Sequence, residues 1–163
     1  MILPLVLLAF QTGAPIAQAS KGCDYTQNVG DLRFTPGQRW SYRSRPGDAG
    51  STLTITKIDD VKAIGLVLQI DVDNVKFDDP TPNAHGNTVT QHLAIKRDSL
   101  DASVLSMLQI VSLPYDPWTY KWWQNDCVAR TYSTTVADTL VQIQTVRHYA
   151  EAKQEHTPTP AGP

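Results

Sequence analysis

The chain has 163 residues, 14 basic against 16 acidic side chains and a formal charge of -2, with 41% hydrophobic residues. That length suits one domain with a real core and is tight for two. The slight negative charge gives no general electrostatic pull toward nucleic acid or anionic membranes.

Residues 1–10 read Met-Ile-Leu-Pro-Leu-Val-Leu-Leu-Ala-Phe, an apolar run too short to cross a hydrocarbon layer of roughly 30 Å as a helix. Gln11 to Pro15 break it, and Ala17-Gln18-Ala19 supplies the small-x-small pattern of a leader-peptidase site. We therefore expect residues 1–19 to be a signal peptide cleaved near Ala19, a single domain over 20–150 and a disordered tail over 151–163. No Lys or Arg precedes the apolar run, a departure from the usual leader. Ser20-Lys21-Gly22 before Cys23 argues against lipid attachment. The expected location is periplasmic or secreted, with no stable membrane insertion.

Two cysteines follow the leader, Cys23 and Cys127. An oxidising compartment favours their pairing, closing a loop worth at most about 4.7 kcal/mol in the chain-entropy account.

Asp31–Thr35 and Gln38–Arg45 are strand-like, separated by Pro36-Gly37, a pair suited to a type II turn. In the second segment Trp40 and Tyr42 alternate with Arg39, Ser41, Arg43 and Arg45, so the aromatic side should face the core. Ser51–Ile58 alternates with heavy β-branching and predicts a strand. Asp59-Asp60 predicts a tight turn, and Val61–Val72 an antiparallel partner. Asp73–Asn87 reads as an exposed loop, and Thr88–Ile95 as another strand.

From here the period changes. Leu100, Val104, Leu108 and Val111 fall on one helical stripe, with Asp98 as N-cap and Asp101 in the first turn. Pro114 should end that helix, and Asp116-Pro117 should start a short one carrying Trp118, Trp122 and Trp123. Val128–Tyr132 reads as a further strand. Thr135 as N-cap and Asp138 predict a last helix with Val136, Leu140, Ile143, Val146 and Tyr149 on one face. The whole predicts an α+β fold: an antiparallel meander of four to five strands, then two or three helices packed on one face.

No nucleophile elbow, phosphate loop, zinc-protease helix or spaced metal-ligand set is present, and we expect neither metal nor cofactor. Asp71, Asp73, Asp78 and Asp79 with Asn74, Asn83 and His85 offer hard oxygen ligands. However, Val75 and Lys76 stand where an EF-hand needs an oxygen ligand and Gly, so a solvated loop is the simpler reading. His92 lies in a predicted strand with no partner evident from spacing, and His148 and His156 sit on a helix and in the tail. The candidate binding residues are the aromatics Tyr115, Trp118, Tyr120, Trp122 and Trp123, too dense for all to face one core, and the cationic strand face of Arg39, Arg43 and Arg45.

Phe34-Thr35-Pro36-Gly37-Gln38-Arg39-Trp40-Ser41-Tyr42-Arg43, Ser44-Arg45-Pro46-Gly47, Ser51–Ile55, His92-Leu93 and Ser99–Val104 together resemble a family of small uncharacterised bacterial proteins. The shared segment is F-x-x-G-x-x-W-x-Y-x-x-R-P-G, and the resemblance implies no activity and no site residue. The expected function is a non-catalytic periplasmic binding protein for a protein partner, of immunity or inhibitor type, using residues 115–123. The alternatives are a cell-wall glycan binder using the same aromatics, or an unfamiliar hydrolase using His92 with an Asp from 71–79.

Overall fold

A computed structural model describes residues 23–77, 88–113 and 117–155, with backbone alone for Thr88, 117–119 and 151–155. The expected leader, residues 78–87 of the expected 73–87 loop, Tyr115 and the tail beyond 155 lie outside the described residues; Asp73–Lys76 of that loop instead continue a strand, with Val75 and Phe77 buried in the core.

The longest strands, β3 (Thr52–Val61) and β4 (Gly65–Lys76), pair antiparallel. Their alternation places Leu53 beside Val72, Ile55 beside Ile70 and Ile58 beside Leu68 on one face. β5 (Thr88–Lys96) adds Leu93 and Ile95 to the same face. On the other side of β3 lie β2 (Gln38–Tyr42) and, further along the strand, the short β1 (Tyr25–Gln27). β6 (Val104–Ile110) pairs with β2 and ends the sheet, whose order is β5-β4-β3-β2-β6. The α+β class and antiparallel sheet stand as the sequence implies, with six strands.

Three helices complete the domain: α1 (Arg97–Ser103), α2 (Pro117–Gln124) and α3 (Val136–Glu155). Leu100 of α1 and Val136 and Leu140 of α3 cover the apolar face together with Phe34, Trp40 and Tyr42. The helices do not share one face. Val67 and Ala94 alternate to the opposite side, where Trp123 of α2 packs on them with Val61 and Cys127. The Cys23–Cys127 disulfide joins the chain after α2 to the start of β1, which sets α2 over that face.

The turn, helix and strand expectations need several corrections. Residues 31–35 form no strand; the Asp31 carboxylate accepts the Arg33 and Phe34 amides, each at 2.8 Å, and bends the chain into the turn before β2. Pro36-Gly37 does make the expected turn, with Gly37 at φ +92°. A Cβ on Gly37 would lie 2.9 Å from the Val111 carbonyl oxygen, because β2 and β6 close against each other there. Asp59 and Asp60 belong to β3, and the reversal falls at 62–64, where the Ile64 amide donates to Val61. The helix expected across 100–111 stops at Ser103. Val104 and Leu108, four apart, lie on one side of a helix and equally of a strand, and pairing along β2 selects the strand. Asp98 is not the N-cap but a first-turn acid. Residues 127–130 are turns, leaving a single parallel bridge between Tyr132 and Ile95 in place of a strand.

Thr135 caps α3 as expected, accepting the Asp138 amide at 3.2 Å while its hydroxyl donates to the Asp138 carboxylate at 2.6 Å. At 20 residues, α3 is about 30 Å long and outruns the sheet. Val136 and Leu140 are buried, whereas Val146 and Tyr149 of the expected stripe are exposed. The helix also carries on past Glu151, where the sequence suggested a tail.

α3 is fastened to the sheet by a buried ion pair. Arg45 donates from Nε to Asp48 Oδ2 at 2.6 Å and from a terminal nitrogen to Asp48 Oδ1 at 3.2 Å, and Asp48 is fully buried. The same guanidinium donates to the Lys76 carbonyl at 2.7 Å, the Leu140 carbonyl at 3.3 Å and the Gln144 amide oxygen at 2.7 Å. Asp48→Ala would strand that cation and should cost about 3–5 kcal/mol of unfolding free energy, read from urea melts. A loss below about 1 kcal/mol, the scale of an exposed pair, would show that the pair is not buried in solution.

Candidate functional site

The aromatic segment divides between core and surface. Trp123 is 1% exposed and donates its indole N–H to Thr131 Oγ1 at 3.0 Å. Tyr120 stacks on it, ring centroids 5.5 Å apart, and Tyr25 meets both rings edge-on. These two candidates therefore build the second core. Among the described side chains of the segment, Trp122, 61% exposed, is the contact residue that remains. The helical backbone of Trp118 belongs to α2, and Tyr115 lies outside the described residues.

The arginines do not form a free cationic face. Arg39 donates to Asp73 Oδ2 and Thr54 Oγ1, both at 3.2 Å, and Arg43 donates to the Ala102 carbonyl at 2.7 Å. Arg45 is the buried anchor already described. Each guanidinium bonds within the fold, a role that strand alternation alone does not disclose.

The structure brings His92 and Asp71 together. They are cross-strand neighbours on β5 and β4, with His92 Nδ1 2.9 Å from Asp71 Oδ1. His92 Nε2 lies 3.2 Å from Gln69 Oε1. Asp73 turns instead to Arg39 and Thr90, so the two described acids of this stretch serve different partners.

Gln69 leads inward to a buried polar patch. The Asn28 amide donates to Asp59 Oδ1 at 3.3 Å, while Asp59 Oδ2, Gln69 Nε2 and the Tyr120 hydroxyl are buried without a well-formed hydrogen bond. Burial pushes the Asp59 carboxyl above its ordinary range, against the pull of the Lys57 charge, the Asn28 amide and the Tyr120 and Gln69 side chains. Burial likewise raises the Tyr120 hydroxyl, helped by Tyr25 and the Asp59 charge.

One surface is invisible to the candidate list. Among the described residues β6 pairs only with β2, and from Leu105 to Ile110 every residue is exposed, Ile110 to 74%. Leu105, Met107, Leu108 and Ile110 are large and apolar, and the strand holds no charge, proline or glycine. Two register shifts against β2, around Leu105 and Leu108, are its only irregularities. Natural sheets normally protect such an edge with charge, proline or a covering segment. At the opposite edge the Tyr132 segment gives this cover, its amide donating to Ala94 and its carbonyl accepting from Lys96, each at 2.9 Å.

Comparison with protein-family models, curated proteins and solved structures gives no match, so the functional reading rests on these residues.

The Asp59 carboxyl yields a pH test. Its folded pKa is raised, so the stability it contributes is full below the ordinary value of 3.8 and is lost as pH rises through the folded value. Above that, the fold buries a charge. Asp59→Asn should therefore gain stability relative to the native protein as pH climbs from about 4 toward 7, measured by urea melts at each pH. A gap that stays constant, or moves the other way, would contradict this account.

Proposed function

We propose that this is an exported bacterial protein that works without catalysis, by holding a protein partner of the immunity or inhibitor type. The observation that carries the reading is β6, an apolar, uncharged and exposed strand on the open end of the sheet. An extended segment of the partner would add there as a further strand. Backbone hydrogen bonds would supply affinity, and side chains alternating past Met107 and Ile110 would supply selectivity. This moves the contact surface from residues 115–123, whose Tyr120 and Trp123 are committed to the core, to residues 105–110.

Delivery through a leader clipped near Ala19 fits the Cys23–Cys127 disulfide, a bond favoured in the periplasm or outside the cell. Among the described residues, no helix is long and apolar enough to cross a membrane.

The His92–Asp71 contact favours a second reading, hydrolysis with His92 as base. It ranks lower because Nε2, the atom that would face a nucleophile, meets Gln69. The nearby Thr90 hydroxyl donates to Asp73 at 2.8 Å and is turned to that acid instead.

Capture from a cell-envelope extract tests the proposal, using the mature protein and the variants Met107→Lys and Ile110→Lys. Both positions are exposed, so melting should stay within about 0.5 kcal/mol of native. A partner retained by the native protein should be lost by at least tenfold in either variant, since a lysine there blocks edge pairing. Equal retention by the variants, or no partner from any extract, would overturn the reading. Intact mass of the recovered protein should lack residues 1–19 and carry an oxidised cysteine pair.

A further inference from the structure

Arginine pairing singles out a second place on the molecule. The chain has seven arginines. Arg33, Arg39, Arg45 and Arg97 form ion pairs with Asp101, Asp73, Asp48 and Asp31, and Arg43 is held by a carbonyl. Neither of the remaining two, Arg130 and Arg147, meets a carboxylate among the described residues. Both line the same cleft.

That cleft has a volume of about 650 Å³ and lies beside β5, between α2, the turns that follow it and α3. Its size falls in the range of small-molecule sites, roughly 300–1,000 Å³. Trp122, Tyr132, Ile143 and Ala94 give it apolar walls, and His92 and Asp71 stand at one side. Asp71 is the single carboxylate among the described lining residues, and one of its oxygens already faces His92 Nδ1.

The two guanidinium groups are held by rings. Arg130 lies over Trp122, 3.8 Å from the ring centroid, and also donates to the Trp122 carbonyl. Arg147 lies over Phe77, 4.3 Å from its centroid. Stacking fixes a guanidinium plane while leaving edge N–H groups to donate, the geometry that suits carboxylate and phosphate oxygens. Two such groups against one hydrogen-bonded carboxylate give the cleft a local positive balance within a chain of net charge -2.

We propose that this cleft binds a small organic anion, a carboxylate or phosphate carried on a flat apolar ring. The acid group is received by Arg130 and Arg147, and the ring packs against Trp122, Tyr132 and Ile143. The site is separate from β6, and its test does not depend on a protein partner.

Titration calorimetry of the disulfide-bonded protein with benzoate, phenyl phosphate, benzamide and inorganic phosphate decides the matter. Benzoate or phenyl phosphate should bind with a Kd of about 1 mM or tighter, and benzamide and inorganic phosphate at least about tenfold more weakly. Whichever ring-bearing anion binds better identifies the acid group. Arg147→Ala and Arg130→Ala should each weaken that binding about tenfold or more. Arg147 stands on the exposed side of α3, so its variant keeps the fold and decides alone should Arg130→Ala melt early. Failure of both ring-bearing anions to bind, equal binding of benzamide, or an unchanged Kd in Arg147→Ala would overturn the proposal.

Discussion

The buried pair of Arg45 and Asp48 joins the turn after β2 to the end of β4 and to α3. Asp48 has no contact with solvent, accepts from Arg45 with both oxygens and takes the Lys76 amide at 2.9 Å. Arg45 then reaches the last turns of contact between α3 and the sheet, at Leu140 and Gln144. A desolvated ion pair stabilises little unless its remaining donors and acceptors are filled; here carbonyls from β4 and α3 fill them. Phe77 lies under both the Arg45 and Arg147 guanidinium groups, 5.3 and 4.3 Å from their central carbons. The anchor thus positions the wall of the cleft as well as the cover of the core.

A division of labour follows. Polar side chains on the β2–β5 sheet mostly face partners of their own: Arg39 with Asp73, His92 with Asp71, Thr56 with the Gln69 carbonyl at 3.0 Å. The disulfide and the Tyr25, Tyr120 and Trp123 cluster close the opposite face near β1. Besides the buried Asp59, Gln69 and Tyr120 atoms, two places among the described residues depart from this pattern of internal pairing, the β6 edge with its apolar side chains in solvent and the cleft whose two arginines meet no carboxylate there. The first suits a polypeptide strand and the second a small anion, and they lie at opposite ends of the sheet order.

Much of the fold is legible in the residues. Period-two alternation locates β2 and most of β3, because strands with one buried face must repeat that way, an apolar run marks most of β4, and the cysteine pair is fixed by there being two. Local signals mislead where tertiary contacts override them. Asp59-Asp60 looks like a turn, yet the sheet buries Asp59 and gives its carboxylate the Asn28 amide. Leu100, Val104 and Leu108 look helical because a spacing of four serves both periods, and the open edge of β2 decides between them. The aromatic segment reads as a surface by its density, while the face that turns inward is set by the tie from Cys127 to Cys23, a long-range constraint. The candidate site is the least legible part. A strand's exposure depends on whether another strand lies beyond it, and that is a property of sheet order rather than of any local sequence.

The proposed docking requires β6 to be an open edge of the isolated protein. Amide hydrogen exchange of the dilute, disulfide-bonded chain measures this residue by residue. Amides of β3 and β4 should be protected throughout, while along β6 those turned away from β2 exchange orders of magnitude faster than their neighbours. Uniform strong protection along residues 104–110 would mean that the edge is already covered, and would contradict the account.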